Sequence, residues 1–220
     1  MDSEISRSDF LLTSGLAVGL LAAGPKSSVP AMAPDDVLAK LTSGNARYMQ
    51  GSPECTPLVN RRAELVGGQN PFAIIVGCAD SRVPIDTIFD QLPGSLFVIR
   101  VAGNIVTDDG LGSIEYAVDQ FGTRLIVVLG HASCGAVIAT MAQLKAHDKA
   151  PGFVQSLVDK IKPAIPSGNP TLEEAIIANA RYGAEQITKR SVIVNDSVHA
   201  GKVRIVSANY DLASGKVSFL

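Results

Sequence analysis

The sequence predicts an α/β protein: a mostly parallel central β-sheet flanked by helices, with an N-terminal helical arm and a C-terminal edge hairpin. Three observations carry this. Phe72–Val76, Leu96–Ile99 and Leu125–Leu129 are short continuous apolar runs, β-branched and bounded by Gly or Pro. Strands buried on both faces read this way. Helical segments lie between and after these runs, and strand–helix–strand alternation implies right-handed crossovers and a parallel sheet. Hydrophobic content is 46% with 5% aromatic residues and no Trp, so the core is built from Val, Ile, Leu and Ala.

The chain divides into a signal-like segment and linker over 1–33, a helical arm over 34–70 and an α/β domain over 71–220. Phe10–Ala23 is apolar and uncharged, with the length of a signal-peptide core rather than of a span, which needs about 20 residues. Ala31-Met32-Ala33 supplies an A-x-A cleavage pattern, and Ser6-Arg7-Ser8-Asp9-Phe10-Leu11 resembles a degenerate twin-arginine signal. Asp2, Glu4 and Asp9 make the preceding region acidic, and Pro34 would follow the cut, which argues for the alternative of a cytoplasmic protein with a frayed arm. The expectation is export without a stable membrane span.

A first helix is predicted from a cap at Asp35 or Asp36 to about Gln50, and a second from about Pro57 to Val66, ended by Gly67-Gly68. Past the first strand, helices are expected over 112–121, 135–146 and 171–190. Val203–Tyr210 and Lys216–Leu220 flank Ala213-Ser214-Gly215 and read as the edge hairpin. A net charge of -2 without a basic run argues against nucleic acid or an anionic membrane as partner. Three cysteines do not make a disulfide framework.

Two strands end in unusual residues. The first continues into Gly77-Cys78-Ala79-Asp80-Ser81-Arg82, the third into Gly130-His131-Ala132-Ser133-Cys134-Gly135. Ligands of open parallel sheets bind at the carboxyl ends of strands. If the two strands are neighbours, Cys78, His131 and Cys134 converge. Two thiolates and an imidazole suit Zn(II), and three protein ligands rather than four suit a catalytic site that keeps a position for water. Taken singly, each cysteine is more simply a small core residue, and a Cys78–Cys134 disulfide is the other bland account. Cys55 reads as a free thiol without a role, and His147 and His199 as solvated surface residues. Arg100 reads as a member of a structural ion pair.

Cys78-Ala79-Asp80-Ser81-Arg82-Val83-Pro84 and His131-Ala132-Ser133-Cys134-Gly135 together resemble the paired signature of the β-class carbonic anhydrases, in their plant-like branch. The likeness runs from about Asp35 to the C-terminus. It implies reversible hydration of carbon dioxide to bicarbonate and a proton by a zinc-bound hydroxide. One Zn(II) per chain is implied on Cys78, His131 and Cys134, with an Asp80–Arg82 catalytic dyad. Asp80, if unpaired, becomes a possible fourth ligand in a closed state. The resemblance further implies substrate-binding roles for Gln69, Phe97 and Tyr116, and an obligate homodimer or higher even oligomer with sites at the subunit interface. Gly135 N–H is a candidate donor to bicarbonate. Ala79, where serine is commoner, and Arg100-Val101-Ala102-Gly103-Asn104 depart from the usual pattern without touching a ligand. Two alternatives stand beside this: hydrolysis of carbon disulfide or carbonyl sulfide on the same fold, or a non-catalytic zinc or redox protein.

Overall fold

The structure is a computed structural model, describing residues 31–54 and 62–220. The signal-like segment, Cys55 and the start of the second predicted helix lie outside the described residues. Five strands form one sheet in the order β2-β1-β3-β4-β5: β1 Ala73–Gly77, β2 Leu96–Arg100, β3 Leu125–His131, β4 Arg204–Tyr210 and β5 Val217–Phe219. All neighbours pair parallel except β4 and β5, which form the expected antiparallel hairpin. The three apolar runs are thus β2, β1 and β3, side by side in one register: Ala73 aligns with both Leu96 and Leu125.

Helix α1, Pro34–Met49, opens with Pro34, whose fixed φ suits the first turn, and with Asp35 and Asp36 against the positive end of the helix dipole. The predicted Asp cap is not formed. Ala33 holds the cap position without a side-chain bond, and Asp35 instead pairs with Arg204 at 2.5 Å. Val37, Leu41, Gly44 and Asn45 face inward at helical spacing. Gly44 passes so close to the next layer that a Cβ there would lie 1.9 Å from the Phe89 carbonyl oxygen. Of the second predicted helix, the described part is α2, Arg62–Leu65.

Both sheet faces are covered. Ile75, Val127 and Ala208 pack with Val37 and Leu41 of α1 and with Ile88 of α3, Ile85–Ile88. On the other face Ile74, Val76, Ile126 and Val128 meet Ile114 and Ala117 of α4, Asp108–Phe121, and Ala180 and Ile187 of α7, Leu172–Arg190. Each fully buried Ile or Leu here contributes roughly 1.5–3 kcal/mol. Helix α4 starts four residues before the expected Gly112 because the Thr107 side chain accepts from Gly110 N–H and caps it.

Helix α5, Gly135–Ala146, matches expectation, and α7 begins on a capping box made by Thr171 and Glu174. Helices α6, Val154–Ile161, and α8, Val192–His199, were not foreseen. Ser191 ends α7 and its hydroxyl caps α8, so one residue hides the break in the pattern. A third cluster of Ile105, Val137, Ile161 and Ile176 closes the carboxyl end of the sheet around Cys78 and Cys134. Among the described residues no helix is long and apolar enough to cross a membrane.

Candidate metal centre

Cys78 follows the last residue of β1, His131 ends β3 and Cys134 is the N-cap of α5. Because β1 and β3 are parallel neighbours, with Gly77 aligned to Leu129, both chain ends leave the sheet together. Ser133 turns the chain between His131 and Cys134 with a left-handed φ of 55°. The outcome is a buried cluster whose three ligand atoms lie within 4.8 Å of one another.

The donor chemistry fits a metal. His131 Nδ1 lies 2.9 Å from the Ala132 carbonyl oxygen, so the proton belongs on Nδ1 and the Nε2 lone pair faces the cluster. That Nε2 is buried and, among the described residues, has no hydrogen-bond partner. Burial disfavours the charged imidazole, but the nearby Cys78 sulfur, the Ala132 carbonyl and the Asp80 carboxylate outweigh this and raise the His131 pKa. The two thiols move in opposite directions. A hydrogen bond from Cys134 holds Cys78 well below the usual thiol range, while the same contact and burial push Cys134 up. A pair this close releases one proton readily and retains the second, and a cation between them lets both ionise. The Cys78 sulfur also accepts the N–H of Gly103 at 3.2 Å and of Asp80 at 3.4 Å.

Asp80 stands beside the cluster and outside its ligand set. Arg82 grips it as a fork, Nε to Oδ1 at 3.0 Å and Nη2 to Oδ2 at 2.7 Å, and Arg82 N–H adds a bond to Oδ1 at 2.9 Å. These donors hold the Asp80 carboxyl far below the usual carboxylate range. Asp80 Oδ2 is 3.9 Å from His131 Nε2, too far for a hydrogen bond. Arg82 Nη2 also reaches the Ser133 carbonyl at 3.3 Å, joining the two ligand-bearing loops.

Arg100 does more than an ion pair would. From the end of β2 it donates to the carbonyls of Cys78, at 2.9 Å, and Asp80, at 2.6 Å. Gly103, Arg100 and Asn179, which donates to the Gly103 carbonyl at 2.8 Å, were not read as site residues.

Gly135 opens α5 beside Cys134, exposed, with open space where a Cβ would be. The other predicted pocket residues are elsewhere in the chain. Gln69 precedes β1, whose five residues, roughly 17 Å at 3.3 Å each, separate it from Cys78. Phe97 aligns with Ile74, four residues before Cys78, and packs with Tyr116 and Phe121 at centroid distances of 6.4 and 6.0 Å. Tyr116 is 54% exposed. His147 and His199 are exposed helix-end residues, as expected.

A family model described as carbonic anhydrase matches residues 73–217. The carbonic anhydrase of Mycolicibacterium smegmatis is 40% identical over 182 residues, covering 80% of this chain and 88% of the relative. The chain belongs to the β-class carbonic anhydrase family. Carbonic anhydrase 2 of Mycobacterium tuberculosis is 38% identical over 181 residues, covering 80% and 87%. The solved β-carbonic anhydrase CafA of Aspergillus fumigatus superposes with a TM-score of 0.64 at 27% identity, over 84% of this chain and 89% of that one. As a β-carbonic anhydrase the chain interconverts carbon dioxide and bicarbonate and uses zinc, with Cys78, His131 and Cys134 forming its candidate metal-binding group.

Proposed function

We propose that Cys78, His131 and Cys134 are the zinc ligands, that Asp80 and Arg82 form the catalytic dyad, and that the site is completed by a second copy of the chain. The observation that carries this is the three-donor cluster with an unpartnered Nε2, beside a carboxylate clamped away from it. When bound, zinc lowers the pKa of a coordinated water toward neutrality. Cys78 and Cys134 bring two negative charges and His131 a neutral nitrogen, so the acidification is weaker than with three imidazoles. Asp80, acceptor-only while Arg82 holds it, takes a hydrogen bond from the attacking water and turns its lone pair toward the carbon. Gly135 N–H donates a hydrogen bond to an oxygen of the product bicarbonate. Release of a proton to buffer completes the cycle.

Gln69 lies before the start of β1, Phe97 pairs with Ile74 near that same end, and Tyr116 packs on Phe97 from α4, whereas Cys78 follows the other end of β1. We assign them to the metal site of the partner in a homodimer or higher even assembly. Mixed dimers of Gln69→Ala and Cys78→Ser chains are expected to regain activity at one site in each pair, and mixing without recovery would place Gln69 elsewhere. The apolar Phe10–Ala23 segment supports export; an intact mass of the secreted fraction that includes residue 1 would contradict cleavage.

Zinc content and carbon dioxide hydration are measured on one reduced sample between about pH 6 and 9. One zinc per chain and a rate that climbs with pH is the expected result. A flat rate refutes the charge argument, absence of zinc refutes the ligand assignment, and zinc without hydration points to the sulfur-containing analogues.

A further inference from the structure

Every hydrogen bond that reaches the Cys78 sulfur from the backbone is held from a distance. The bond from Gly103 is the shorter of the two, at 3.2 Å. It depends on an unusual local fold. Gly103 has φ 73° inside the 3₁₀ turn Ala102–Asn104, and a Cβ there would fall 2.6 Å from Ile161 Cδ1 and 3.1 Å from Ala136 Cβ. The turn therefore presses its backbone against α5 and α6, with no side chain of its own at position 103 to anchor it.

The anchor comes from α7. Asn179 is 3% exposed, and its Nδ2 donates to the Gly103 carbonyl at 2.8 Å. We propose that Asn179 is a positioning residue for the metal site: its amide fixes Gly103 so that the Gly103 N–H stays on the Cys78 sulfur. The proposal rests on Cys78 being a zinc ligand. Asn179 touches neither metal nor substrate. It acts by keeping on a buried thiolate the shorter of its two backbone donors. Asn179 also lines a cavity of about 370 Å³ together with Asn104, Tyr182 and Arg190.

The test uses the full chain, labelled with nitrogen-15 and loaded with cadmium-113, in which an amide bonded to a metal-bound sulfur shows a scalar coupling to the metal. In the wild type, coupling is expected at the Gly103 and Asp80 amides. In Asn179→Leu the Gly103 coupling is expected to vanish while the Asp80 coupling persists. Zinc dissociation, read by chelator competition, is expected to rise roughly 10- to 100-fold, the range for lost outer-shell partners. Asn179→Ala, which keeps a strong helix former in α7, reads the same effect if leucine does not fit.

Wild-type protein that binds cadmium through Cys78 but shows no Gly103 coupling overturns the proposal alone. So does a folded variant with an unchanged coupling, or one whose zinc dissociation constant stays within about twofold while only its melting temperature drops. Cadmium bound without Cys78 would overturn the ligand assignment as well.

Discussion

Replacing Arg82 by alanine separates holding the metal from using it. Arg82 donates two side-chain bonds to Asp80, at 3.0 and 2.7 Å, and one to the Ser133 carbonyl at 3.3 Å. Its side chain is 54% exposed, so the pair adds little to folding. Its effect on Asp80 is larger. With the fork gone, the Asp80 carboxylate keeps, among the described residues, the bond from residue 82 N–H, and Oδ2 already stands 3.9 Å from His131 Nε2. A side-chain rotation then brings the carboxylate within ligand reach of a metal held there. Loss of an outer-shell partner typically costs about 10- to 100-fold in activity. The population with Asp80 off the metal is expected to fall by that factor, and kcat/KM with it. Stopped-flow hydration assays paired with zinc analysis are expected to show that loss with one zinc per chain retained. Arg82→Lys recovers part of it, since a single ammonium cannot reproduce the fork. Loss of zinc in Arg82→Ala, or full activity with zinc in place, would refute the reasoning.

Two further outcomes test the frame around the site. Asn45 satisfies three buried backbone groups, donating to the carbonyls of Ile88 at 3.1 Å and Gly215 at 2.8 Å and accepting from Val217 N–H at 2.8 Å. Asn45→Ala is expected to cost about 3 kcal/mol and lower the melting temperature by roughly 6–12 °C, and a calorimetric shift under about 2 °C would contradict this. Thr171→Ala removes the α7 cap at a cost of about 1 kcal/mol. Thr171 N–H and hydroxyl hold the Glu174 carboxyl below its usual range, so that contribution is present above the ordinary glutamate pKa and fades as pH falls through the depressed value. Only the hydroxyl–carboxylate bond is lost with the side chain and titrates, so the stability gap between wild type and variant in urea titrations should narrow without closing as pH falls below the ordinary glutamate range, and a gap that widens there would be the wrong sign.

The strands were legible because runs such as Ile74-Ile75-Val76 and Ile126-Val127-Val128 bury both faces and can be little else. The ligands were legible for a different reason: Cys and His at two strand ends carry chemistry in the side chain itself. What the sequence hid is backbone work. The N–H of Gly103 and the carbonyls of Cys78 and Asp80 have no residue-type signature, and the side chains that hold them, Asn179 and Arg100, come from 76 and about 20 residues away. Helix α8 was missed because Ser191 serves two helices at once. Asp35 was misread as a cap because Pro34 pre-sets the first turn and leaves the carboxylate for Arg204. The placement of Phe97 beside Ile74, at the end of β1 away from Cys78, required the register, which composition does not supply.

The latch from Arg82 to the Ser133 carbonyl has a bearing on how the protein comes to contain its metal. Together with the grip of Arg100 on Cys78 and Asp80, it fastens both ligand loops to each other and to the sheet by bonds in which no metal takes part. The sheet beneath them has its own dry core on both faces. Shape here precedes loading, unlike small zinc modules whose chain collapses only around the ion. A chelated preparation should hence remain a folded vessel, able to be stored and refilled.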